Sequence, residues 1–156
     1  MKKMLLLSLS HLAFAAIGFG AGIYFLPILT APAGPSTETM AMAKSNAQYQ
    51  GTLKRDLKGS DFLHWGEGDI SVGKQFIALQ GKLAPGPDYK LYLSPKLVET
   101  EADFLKLKST MQWVGDVKVF ENFVVPVADT IDIEAYSAVI IWCETFGEFI
   151  TAATYK

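Results

Sequence analysis

Two side chains in this sequence can exchange a proton, bind a metal or carry redox chemistry near neutral pH. Cys143 is the only cysteine, and His64 is the only histidine outside a long apolar run at the N-terminus. A thiolate is a nucleophile and a soft ligand; a neutral imidazole is a ligand and a proton carrier. Their supply excludes much. One cysteine cannot form an internal disulfide, nor the Cys-x-x-Cys-His attachment of a covalent c-type haem. A blue-copper site needs two histidines beside its cysteine, and a tetrahedral structural zinc site needs four such ligands. No complete metal site is therefore expected. A two-point site from Cys143 with His64 or Met111 stays open, as does axial ligation of a non-covalent haem by Cys143 or His64.

Each residue also has a structural reading. Cys143 ends the apolar run Ala138-Val-Ile-Ile-Trp-Cys143, where a cysteine commonly packs as a small hydrophobe. Its neighbours Trp142 and Glu144 bring no positive charge to lower a thiol pKa. In an oxidising compartment, however, a lone thiol must be buried, bound or used. His64 stands in Asp61-Phe-Leu-His-Trp-Gly-Glu-Gly-Asp69. There it either hydrogen-bonds a turn or faces a bound group, with Gly66 and Gly68 letting the backbone close around it. Among carboxylates, Asp88 follows Gly86-Pro87 and is expected to accept backbone N–H bonds at a strand entry. Glu144 and Glu148 flank a turn and are expected to be solvated. With Asp129 or Asp132 they meet no calcium-loop spacing. A single histidine without a G-x-S-x-G element argues against hydrolase chemistry. A redox or binding module is expected, rather than a turnover enzyme.

The elements that would position these groups are short. Odd and even residues of a strand face opposite sides. Val139, Ile141 and Cys143 therefore share one face, and Ala138, Ile140 and Trp142 the other. Both faces are apolar, as in a strand covered twice. Further strands are predicted at Tyr49–Leu53, Asp69–Val72, Gln75–Leu79, Tyr89–Ser94, Val114–Val119, Phe123–Val127 and Glu148–Tyr155. A bulge is expected at Gly115-Asp116 and a turn at Asn122. One short helix is predicted over Thr100–Lys108, capped by Thr100, with acids early and lysines late. The sum is an all-β domain, an antiparallel β-sandwich or small barrel, over residues 47–156.

Residues 1–30 are different. After Lys2 and Lys3 the chain runs from Met4 to Leu29 without a formally charged residue. As a helix this run is longer than the roughly 30 Å hydrocarbon core. It exceeds the apolar region of a secretory leader, and Ala31-Pro32-Ala33 makes a poor cleavage site because of its proline. The expectation is a transmembrane helix acting as an uncleaved signal-anchor. The membrane is then a partner through residues 4–29. The two lysines place the N-terminus inside and the domain on the extracytoplasmic (periplasmic or cell-surface) side. Residues 31–46, rich in Ala, Pro, Ser and Thr, read as a flexible linker. Beyond Lys2 and Lys3, 12 basic residues face 16 acidic ones, a net charge of −4. That balance and the absence of a basic patch exclude nucleic acid as a partner.

Three segments in order resemble the DM13 domain: His64-Trp-Gly-Glu-Gly68, Gly86-Pro-Asp-Tyr-Lys-Leu-Tyr-Leu-Ser94 and Val139-Ile-Ile-Trp-Cys-Glu-Thr-Phe-Gly-Glu-Phe149. The likeness spans Tyr49 to Tyr155, with Lys96–Lys108 resembling a local insertion. It implies a β-rich extracytoplasmic module with a proposed electron-transfer role. In that family the role centres on a single cysteine, here Cys143, with His64 at the position of the family's histidine. The thiol would act bare or as a ligand to a prosthetic group such as haem. Relatives carry a separate haem-binding domain, so the resemblance implies a redox protein partner here.

Overall fold

The computed structural model describes the chain from Met1 to Lys156. Helix α1, Lys2–Thr30, is long and apolar enough to cross a membrane. A second helix, α2 (Thr37–Ser45), begins where the Ser36 hydroxyl accepts the Thr39 N–H. The strands follow as β1 (Tyr49–Leu53), β2 (Gly66–Val72), β3 (Phe76–Leu83) and β4 (Tyr89–Ser94). Helix α3 (Glu101–Leu107) comes next, its Thr100 cap accepting the Asp103 N–H. Strands β5 (Gln112–Val117), β6 (Glu121–Pro126), β7 (Ala138–Cys143) and β8 (Glu148–Thr154) complete the domain.

They form two antiparallel sheets, ordered β1-β2-β3-β6 and β5-β4-β7-β8. The fold is thus the expected sandwich. Alternation explains it. Ile70, Leu79, Leu91, Val139, Ile141 and Cys143 point into one core between the sheets. Ile140 and Trp142 point outward from β7 into a second apolar cluster with Tyr92, Phe104 and Phe149. Phe104 of α3 covers that face and stacks on Trp142, with ring centroids 3.9 Å apart. The doubly apolar β7 is therefore covered on both sides. The bulge in β5 falls at Val114, since Leu91 pairs with Gly115 and Tyr92 with Trp113. Asn122 opens β6 with a positive φ of 49°, and its side chain accepts the Gly81 N–H.

Within residues 31–46, α2 packs against β3 and β6 and buries Ala43. The unstructured stretch between α1 and α2 shrinks to Ala31–Ser36. At the opposite end of the sandwich the chain closes on Glu134. That carboxylate accepts from Tyr49 Oη at 2.5 Å and from Lys156 Nζ, while Tyr155 Oη donates to the Ile133 carbonyl at 2.8 Å. The strands that begin and end the domain are held at one point.

Candidate functional site

Cys143 is the last residue of β7. It pairs with Tyr89, the first residue of β4, and with Glu148, the first of β8. The chain then turns back at once, with Gly147 N–H donating to the Cys143 carbonyl at 2.9 Å. Gly147 closes this turn at φ +69°, a conformation that disfavours other residues. The tight turn brings backbone N–H groups around the sulfur. Burial raises the Cys143 pKa; the N–H groups of Phe146, Asp88 and Thr145 work against that rise without cancelling it, and the Asp88 charge adds to it. The thiol is free and only 3 % exposed. It rests protonated at neutral pH, since burial and the Asp88 charge outweigh the nearby N–H groups.

His64 arrives from the loop between β1 and β2. The Asp61 carboxylate holds it twice and the preceding residue once. One carboxylate oxygen, Oδ1, accepts the backbone N–H groups of Leu63 and His64, both at 2.7 Å. The other, Oδ2, lies 3.0 Å from His64 Nδ1. Burial acts to raise the Asp61 pKa, but the His64 ring and the two N–H groups outweigh it and hold the carboxyl below its usual range. Nδ1 is thereby committed to a carboxylate, and Nε2 makes no hydrogen bond to the protein. A carboxylate behind an imidazole fixes the ring's orientation and leaves the other nitrogen for a ligand or proton.

The fold brings the two predicted residues together. Cys143 and His64 both line one cavity of about 300 Å³, with Tyr89, Phe146, Glu148 and Ile150. The cavity lies where β4 and β8 begin and β7 ends. Its wall offers one sulfur, one imidazole and the Glu148 carboxylate in a lining that is otherwise largely apolar. No three His, Cys, Asp or Glu side chains converge as a metal-binding group.

Several neighbouring residues behave otherwise than expected. Gly66 and Gly68 belong to β2 and do not wrap a ligand. A Cβ on Gly66 would come within 2.5 Å of Thr151 Cγ2, so this glycine lets β2 approach β8. Gly68 sits at φ +125° against the backbone of Gly81. Asp88 spends its carboxylate on side chains, accepting Thr145 Oγ1 at 3.0 Å and pairing with Lys90 at 2.9 Å. It is its carbonyl that takes a backbone N–H, from Glu144. Glu144 is half-buried and paired rather than freely solvated. It receives Lys108 Nζ at 2.7 Å on each oxygen, Trp142 Nε1 at 3.3 Å and Tyr92 Oη. Sequence reasoning also passed over Asp61. The signal was present, since an Asp two and three residues before Leu63 and His64 is placed to form an Asx turn.

A family profile described as Electron transfer DM13 matches residues 56–155. The chain belongs to the DM13 family. The match takes in Asp61, His64 and Cys143, and with them every strand from β2 to β8. The family's description suggests an electron-transfer role, and such a role implies a redox partner. No curated protein matches the chain, and no solved structure does.

Proposed function

We propose that this DM13 chain is a membrane-tethered, extracytoplasmic electron-transfer module whose redox site is the cavity shared by Cys143 and His64. The observation that carries this reading is that shared cavity: the only cysteine and the only domain histidine, far apart in sequence, line the same small space. Cys143 supplies the redox or ligand sulfur. His64 supplies a second ligand or takes the proton that a buried, protonated thiol must release when it gives up an electron. Asp61 positions the ring. A haem held without covalent attachment would be held by Cys143 or His64 and would supply a one-electron couple. A second redox protein is the electron donor or acceptor. Helix α1 is the tether, through residues 4–29, with Lys2 and Lys3 on the cytoplasmic side.

The test is spectral and chemical. The full chain, purified in detergent, is expected to carry an absorbing group lost in Cys143→Ser, or a thiol that titrates electrochemically. A colourless chain with an unreactive thiol, and normal function of Cys143→Ala, would end this reading.

A second reading is a non-catalytic binding or scaffolding module of the cell envelope. It is favoured by the burial of Cys143 in the main core and by the upward shift of its thiol. It requires that Cys143→Ala cost stability and nothing else.

A further inference from the structure

Three features meet at one end of the sandwich. The first is the cavity itself, whose wall includes Gly20, Ile23 and Tyr24 of α1. The second is a pair of loops bearing exposed apolar side chains. Phe62 is 84 % exposed and Leu63 is 39 % exposed between β1 and β2; Phe146, between β7 and β8, is 51 % exposed. Leu63 and Phe146 are themselves part of the cavity wall. Large apolar groups gathered beside a polar site on a small domain call for a partner.

The third feature is the tether. Only Ala31–Ser36 separates α1 from α2, and α2 is packed on the first sheet. Six fully extended residues reach about 20 Å, and Pro32 and Pro35 stiffen them. The tether also enters at the cavity end, since Gly34 passes over the carbonyls of Glu121 and Asn122 at the start of β6. Counting from Met4, a hydrocarbon core of about 30 Å is crossed in about twenty residues. That places Ile23 and Tyr24 at its outer boundary, and aromatic residues are favoured there.

Resting on the tether reading above, we propose that the cavity end of the domain lies against the bilayer, with Phe62, Leu63 and Phe146 inserted at the lipid interface. The partner of this surface is the membrane that holds α1. The cavity of Cys143 and His64 then opens at the lipid boundary, and whatever reaches the thiol arrives along that boundary. The opposite end, which carries Lys74 and Thr130, stands away from the lipid by the length of β7, about 20 Å.

The experiment uses the full chain in nanodiscs of phosphatidylcholine and phosphatidylglycerol, with bromine on shallow acyl carbons. Phe62→Trp and Phe146→Trp place reporters on the two loops, and Thr130→Trp places one at the far end. Each emission is read as the difference from the unsubstituted chain. An alkaline wash first establishes that the chain stays with the lipid. Loss and blue shift of the loop reporters' emission, with the Thr130→Trp reporter unchanged, is the expected result. Loop reporters left unquenched in a chain that resists the wash would overturn the orientation while leaving the tether intact. Equal quenching of all three overturns it as well. A chain released by the wash overturns the tether, and the orientation falls with it.

Discussion

Trp142 and Cys143 are consecutive in β7 and face opposite ways, and their surroundings differ in kind. On the Trp142 side the polar groups around the ring are paired. Glu144 satisfies Lys108, Tyr92 and Trp142 at once, and Phe104 seals the aromatic stack. On the Cys143 side a cavity remains, the thiol is held off ionisation, and the nearest imidazole keeps one nitrogen unused. A closed polar network stiffens a fold. Chemistry needs the opposite, a group whose preferred partner has yet to arrive. The difference is what the proposed function requires, with stability on one face of β7 and the proposed redox site on the other.

The contrast can be broken experimentally. Phe104→Ala removes a fully buried ring and is expected to cost about 3–5 kcal/mol in urea unfolding. The pH profile of Cys143 alkylation in the native state should stay as it is. A thiol that became reactive at neutral pH in this variant, under native conditions, would show that the two faces are not separate. Glu144→Gln comes next, at about 1.5–3 kcal/mol, because charge-assisted bonds to Lys108 are lost.

That substitution also has a pH signature. Burial acts to raise the Glu144 pKa, but Lys108, Tyr92 and Trp142 outweigh it and lower it. A lowered folded pKa means stability that is fully present above the unfolded value, about 4.3 for Glu, and lost as pH falls through the folded one. Stability measured from pH 6 down to 3 should therefore fall less steeply in Glu144→Gln than in the parent chain. Equal slopes would mean that the Lys108 pair contributes nothing.

Cys143→Ala is expected to cost on the order of 1 kcal/mol or more and to abolish electron transfer. Retained transfer would move the thiol to the structural side of the comparison. The smallest effect on stability belongs to Asp61→Asn, within about 0.5 kcal/mol for an exposed position. Its readout is the pair of imidazole ¹⁵N shifts of His64, which report the proton's location on the ring. Unchanged shifts would remove Asp61 from the site.

Much of this architecture was legible because its causes are local. Alternation along Tyr89–Ser94 and Ala138–Cys143 identified the strands and their faces, and Thr100 with its early acids marked α3. The remainder depends on partners distant in sequence. Nothing near Glu144 announces that Lys108 will reach it, so a turn glutamate reads as solvated. Met40 to Ala43 shows no clear apolar stripe, and α2 becomes visible only when β3 and β6 supply its seat. Gly66 looks like ligand-loop chemistry until Thr151 is seen beneath it. For the site, residue supply selected Cys143 and His64, but their meeting in one cavity is a property of the sandwich.

The knot at Glu134 has a consequence of its own. Termini and edge strands are usually where a domain frays first. Here Tyr49 at the start of β1 and Tyr155 and Lys156 beyond β8 are fastened to the same short turn. Neither edge can peel away without releasing the other. Amide protons in β1 and β8 should therefore exchange with solvent at rates close to those of β4 and β7, and the sandwich should open as one cooperative unit rather than from its ends.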